Sequence, residues 1–273
     1  MIRLSVVLCV LGLASQAIAA SPSKSQPVIW YCLAYNTPNV GQYKPAERSD
    51  RGWWRAAESL KAHVDLRVSD HVPTPDRLEG VDLVLIFNPE KAAWEGGPEP
   101  RHIEDAAATV LTDYIRAGGA LLFMSNQDAL HNVEKTESNR LLERFGLRVG
   151  RADIGIKILK LPKSSPVIGG LTWRFFFGSP LEVLKTPSAR VEVWAWNDPG
   201  AETVEGEPGD RVPLLAGSRF GKGRVVVASD TGWTANGTIG LDDNWAILWK
   251  TINWLTPRHD LGPVADLAAP PLP

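Results

Sequence analysis

Two short runs of almost purely apolar residues constrain the fold more than anything else in this chain: Val81-Asp-Leu-Val-Leu-Ile-Phe87 and Ala120-Leu-Leu-Phe-Met124. Runs of five to seven apolar residues are too short for core helices and lack the in-out alternation of a half-exposed strand, so they read as strands buried on both faces. Between them, His102 to Ala117 carries Ala106, Val110, Leu111, Tyr114 and Ile115 at helical spacing and stops at Gly118-Gly119. A buried strand, a helix and a second buried strand form a right-handed crossover unit, which belongs to a parallel sheet covered by helices.

The same alternation extends in both directions. Val28 to Ala34 and Val64 to Val68 read as strands, and Asp50 as the cap of a helix in which Trp54, Ala57, Leu60 and Lys61 recur. Asn88-Pro89 marks a turn, and Glu95 to Pro100 is a Pro/Gly-rich connection. A helix over Ser138 to Phe145, with Gly146 as its C-cap, leads to a strand at Leu147 to Val149. From Ile154 to Trp196 the pattern changes to short β-like pieces, and Glu202 to Asp210 is an acidic loop. Val212 to Arg219 and Arg224 to Ala228 flank Phe220-Gly-Lys-Gly223 as an antiparallel hairpin. Asp242 opens a last helix with Trp245, Leu248, Trp249, Ile252 and Leu255 as its apolar stripe. The expectation is an α/β fold with a mostly parallel, flavodoxin-like three-layer sheet, helices on both faces and an antiparallel hairpin near the C-terminal part. One domain is expected over 27–256, and the Pro/Ala-rich tail 257–273 is expected to be disordered.

The first residues stand apart. Arg3, the apolar run Leu4 to Ala14 and the small residues of Ala17-Ile18-Ala19 form the pattern of a secretory signal peptide over 1–19. The mature protein is therefore expected in the periplasm or outside the cell. No other segment reaches the roughly 18 apolar residues of a membrane span. The formal net charge of the 273 residues is −2, which gives no electrostatic footprint for nucleic acid. Of the two cysteines, Cys9 lies in the leader, so Cys32 would remain alone, without an intramolecular disulfide or a thiolate metal site. Stability then rests on the core, to which the eleven tryptophans bring much apolar area.

The helix ending in Gly-Gly before a buried strand (Tyr114 to Met124), the segment Ser165-Pro-Val-Ile-Gly-Gly170, and the hairpin Gly221-Lys-Gly-Arg-Val-Val-Val-Ala-Ser-Asp230 before a final helix resemble the class I glutamine amidotransferase-like fold. They are similar in particular to its non-catalytic or uncharacterised branches in exported bacterial proteins. The resemblance covers Val28 to Leu255. It implies a pocket at the C-terminal ends of the strands. In the amidotransferases a cysteine stands in the turn after one strand, with a His and a Glu after a late one. Here those places hold Ser125-Asn126-Gln127 and Ser229-Asp230-Thr231. Thiolate hydrolysis of glutamine is therefore not expected.

The polar residues at that edge are the candidate site. Asp230 follows a buried-type strand and precedes Thr231-Gly232-Trp233, so its carboxylate is placed to bind a ligand or act as a base, with Trp233 as a flat apolar face. Ser125 lacks the glycines of a nucleophile elbow, which favours a turn or capping role through its hydroxyl. Asn126 and Asn236 complete the ligand-binding set, and Asn236-Gly-Thr238 also matches a glycosylation acceptor. Asp242-Asp243-Asn244 read as helix caps rather than metal ligands. His63, His71, His102, His131 and His259 show no metal spacing, though His131 follows Ser125 closely. Trp53-Trp54, Trp194 and Trp196 are expected to fill core and sheet faces. No cofactor and no metal are expected. The reading is a non-catalytic binding or scaffold domain for a glycan, peptide or protein partner. Its alternative is a hydrolase acting on a carbohydrate or ester through Asp230 with Ser125 or His131.

Overall fold

The computed structural model describes residues 25–35, 44–46, 48–87, 102–126, 137–152, 154–197, 203–205 and 211–268. The expected signal peptide, the Asn88-Pro89 turn, the Glu95 to Pro100 connection, Gln127, His131 and most of the acidic loop lie outside these residues. The strands, in chain order, are β1 (Val28–Cys32), β2 (Asp65–Ser69), β3 (Leu83–Phe87), β4 (Ala120–Met124), β5 (Leu147–Val149), β6 (Lys157–Lys160), β7 (Thr172–Phe175), β8 (Leu181–Val183), β9 (Ala189–Asn197), β10 (Thr203–Glu205), β11 (Val212–Phe220) and β12 (Gly223–Ala228). The helices described are α1 (Trp54–Lys61), α2 (Asp105–Ala117), α3 (Ser138–Leu142) and α4 (Asn244–Leu255).

A seven-stranded sheet in the order β2-β1-β3-β4-β12-β11-β9 organises the molecule. The first five strands run parallel, and β11 turns back antiparallel to both β12 and β9. Every residue of β3 and β4 is buried, as the unbroken apolar runs require. Alternate residues serve two separate cores. Tyr31, Leu85, Leu122 and Val226 pack with α1 and α4 on one face, whereas Trp30, Val84, Leu121 and Val225 pack with α2 and α3 on the other. At roughly 1.5–3 kcal/mol for each large apolar side chain taken from water, these two cores dominate the stability. The hairpin between β11 and β12 turns on Gly221-Lys222, with Gly221 at φ +56° and Lys222 N–H donating to Arg116 O at the end of α2.

Two strand expectations need correction. β5 does not join the parallel sheet: it pairs antiparallel with β8 in a two-stranded ribbon, and the outward Arg148 in its middle marks a strand with only one face to bury. The region of short β-like pieces instead supplies β9, nine residues long, as an edge of the main sheet. β6, β7 and β10 form a further three-stranded sheet.

The tail is also ordered where it is described. Trp245 Nε1 donates to Ala265 O (2.5 Å) and Trp249 Nε1 to Gly262 O (3.3 Å), while Arg55 Nε reaches Ala268 O (2.9 Å) and Leu261 is buried. Backbone carbonyls make these anchors, so composition gives no sign of them. Removing residues 257–273 is expected to lower stability by about 3 kcal/mol, from one buried leucine and several hydrogen bonds. Chemical unfolding would show it, together with a red shift of tryptophan emission as Trp245 and Trp249 meet water. Among the described residues, no helix is long and apolar enough to cross a membrane.

Candidate ligand-binding site

β4 and β12 lie side by side in register, with Met124 opposite Ala228, so the chain leaves the sheet at one edge through Ser125-Asn126 and Ser229-Asp230. Pairing continues one residue further: Ser125 N–H donates to Ala228 O (3.0 Å), and Ser229 N–H to Leu214 O (2.9 Å). Strand alternation then puts Ser125 on the α2 face with Phe123, and Asp230 on the α1/α4 face with Ala228. The two proposed working groups thus fall on opposite faces of the sheet. Ser125 is buried, and among the described residues its Oγ makes a long contact, 3.5 Å, to Asn126 O.

Asp230 has no exposed surface. Its Oδ2 accepts from Phe176 N–H (2.7 Å), its Oδ1 from Gly232 N–H (2.6 Å), and its carbonyl from Trp233 Nε1 (2.8 Å). Burial pushes its carboxyl up to about 7, against the opposing pull of N–H groups from Phe176, Gly232, Phe177 and Trp233. The carboxyl therefore ties a strap, Phe176 to Gly178, across the end of β12. Gly178 shows how closely the strap is seated: a Cβ there would stand 1.8 Å from Ser229 O, so only glycine fits.

Trp233 does not offer a flat face. It is wholly buried, edge-on to Trp173 with ring centroids 5.8 Å apart. Asn236 is likewise engaged: its Oδ1 accepts from Arg55 N–H (2.9 Å), and its Nδ2 donates to Ser49 O (2.7 Å). It joins the segment entering α1 to the loop after β12, and its amide nitrogen is buried rather than presented for modification. Asp242, Asp243 and Asn244 are not helix caps. Asp243 sits at the N-cap position of α4 without a side-chain cap bond. Its Oδ2 accepts instead from Thr172 N–H (2.7 Å), Asn244 Oδ1 from Arg174 N–H (3.0 Å), and Asp242 pairs with Arg174 Nε (2.7 Å), so all three fasten α4 to β7. No cluster of three or more metal-ligating side chains occurs among the described residues. His63 stacks edge-on against Trp249, and His259 contacts Asp82 (3.2 Å), both away from this edge. Trp53 and Trp194 fill the core as expected.

Above Asp230 lies a cavity of about 370 Å³ that opens to solvent. Its walls include Asp50, Arg51, Asn126, Phe176, Phe177 and Thr238, and Asp230, though without solvent-exposed surface, lines its base. Of these six wall residues, Asn126 was expected at the site and the other five were not legible as site residues. Asp50, expected as a cap, stands ahead of α1, whose N-cap is Trp53. Asp50 and Arg51 are exposed and make no ion pair with a described residue. Phe177 is 44% exposed. The Phe175-Phe176-Phe177 run was the available signal, because three consecutive aromatic residues cannot all face one core from an extended chain.

No family model and no curated protein matches the sequence. Among solved structures, the chain is similar to the mmIFT52 N-terminal domain, with a TM-score of 0.61 and 16% identity over 85% of this chain and 97% of that one. It is also similar to the cytoplasmic protein STM1381 from Salmonella typhimurium LT2, with a TM-score of 0.50 and 15% identity over 74% of this chain and 86% of the other. A putative ThuA-like protein from Bacteroides uniformis aligns over 92% of this chain and 98% of its own, at a TM-score of 0.49 and 11% identity. Likeness at such identity is one of fold alone.

Proposed function

We propose that this protein is an exported, non-catalytic binding domain of amidotransferase-like, three-layer flavodoxin-like fold, and that the cavity above Asp230 is its ligand site. One observation carries the reading: the cavity is open, yet the groups that chemistry would need are withdrawn from it. Ser125 is buried on the other face, and both oxygens of Asp230 are held by backbone N–H groups. Ser125 and Asp230, on opposite faces of the sheet, do not make the nucleophile–base pair that catalysis at this edge would require. The strand order β2-β1-β3-β4-β12, with separate cores on the two faces, supports the three-layer arrangement. The position of the cavity agrees with the general rule that open α/β sheets bind ligands beyond the carboxyl ends of their strands. Export is proposed on the leader pattern of residues 1–19.

The hydrolase alternative is tested directly by incubating the full chain with a fluorophosphonate serine probe and with panels of chromogenic esters and glycosides. The expected result is neither labelling nor turnover. Labelling that disappears in Ser125→Ala, or turnover that disappears in Asp230→Asn, would overturn the binding-domain reading.

A further inference from the structure

We propose that the cavity takes a neutral saccharide of one or two pyranose rings, held by the Phe177 ring and the planar polar side chains of Asp50 and Arg51. The inference rests on the binding-domain reading and names the ligand class of that same site. A pyranose offers two different surfaces: a rim of adjacent hydroxyl groups, each both donor and acceptor, and an apolar face of C–H bonds. The cavity offers the complement of each.

For the hydroxyl rim, Asp50 presents two in-plane acceptors and Arg51 in-plane donors. Planar groups of this sort can bridge neighbouring hydroxyls in a bidentate manner, which is how direction is fixed in a small polar site. The Thr238 hydroxyl is already directed to Gly232 O (2.5 Å), so it contributes lone pairs to the wall. For the apolar face, Phe177 keeps 44% of its surface in water at the cavity, and Phe176 lies beside it partly buried. An aromatic ring left in water next to a concave polar site is the informative kind of exposure.

Charge and size narrow the class. Among the described residues, the exposed ionic groups of the wall are one carboxylate and one guanidinium, whose charges cancel and favour a neutral ligand. The volume of about 370 Å³ lies at the low end of small-molecule sites, enough for a short saccharide and not for an extended chain. The frame is also fixed in advance. Asp230 pins the strap that carries Phe176 and Phe177, and Asn236 holds the loop of Asp50 and Arg51 against the loop after β12, so little ordering remains to be done on binding.

The test is ligand-observed saturation-transfer NMR, followed by titration, on the full chain. The probes are methyl glycosides of glucose, galactose, mannose and N-acetylglucosamine and the disaccharides of these sugars, with glucuronate and free amino acids alongside. At least one neutral saccharide is expected to bind, and Phe177→Ala and Arg51→Ala are each expected to weaken it tenfold or more without moving the melting temperature. Absence of binding by every neutral saccharide overturns the inference, as does binding that both variants leave unchanged. If only the charged probes bind and Arg51→Ala abolishes them, the saccharide class fails while the binding-domain reading stands; enzymatic turnover would sink that reading separately.

Discussion

Gly178→Ala is expected to destabilise the protein by about 3 kcal/mol or more, the upper end of what overpacking a close contact costs. The added methyl would sit 1.8 Å from Ser229 O and 3.0 Å from the Phe175 ring, and the first of these is backbone one residue past β12, itself tied to β11 by Ser229 N–H donating to Leu214 O. β12 cannot retreat without breaking its ladders to β4 and β11. The strap must lift instead, which removes Phe176 N–H from Asp230 and breaks the pairing of Gly178 with Ile154. For a domain of this size the loss corresponds to a fall in melting temperature of roughly 6 to 12 °C. Gly155→Ala is the matched control, because a Cβ at Gly155 meets nothing within 4 Å and the residue lies on the segment that faces the strap. Equal melting of the two variants would show that the strap is not seated on Ser229, and the floor of the cavity would need a different account.

The strap explains why the sheet was legible in the sequence and the site only in part. β4 can be read to the residue, since Gly119 and Ser125 bound five apolar residues that all have somewhere to be buried. The helices before and after it follow from apolar spacing that packing then satisfies. Asp230 could be placed at a strand end by the same logic, but its role depends on Phe176 N–H, 54 residues away along the chain, and backbone donors leave no trace in side-chain chemistry. Trp233 and Asn236 look like ligand-binding residues because tryptophan and asparagine often are, and only the fold shows that their polar atoms are taken by Asp230 O and Ser49 O. Asp50, Arg51 and Phe177 sit in loops without periodicity, where burial patterning says nothing. Four segments distant in sequence must meet before the cavity exists. The docked tail was missed for the same reason: its partners are the indole nitrogens of α4, whose apolar stripe had a sufficient explanation in the core.

Stability should fall as pH rises from about 4 to about 7, and Asp230→Asn should remove that fall. With the folded-state value of Asp230 up at about 7, above the 3.8 of an unperturbed carboxyl, the native protein binds this proton more tightly than the unfolded chain does. Between those two values the folded state carries more protons, so its advantage is complete below the lower value and is lost as pH climbs through the upper one. A displacement of this size corresponds to a change of the order of 4 kcal/mol. Asparagine keeps one acceptor but turns an NH₂ toward either Phe176 N–H or Gly232 N–H, leaving a buried donor unpaired at about 1–3 kcal/mol. The variant is thus expected to be less stable than the wild type at pH 4 and as stable or more stable at pH 8. Denaturant unfolding of both proteins at pH 4, 5.5, 7 and 8.5 isolates this carboxyl, since every other titrating group cancels in the difference. A gap that widens with pH would mean that the backbone donors outweigh burial and that Asp230 is a fixed anion. The strap would then be held by charge-assisted bonds, and acid rather than base would release it from the floor of the cavity.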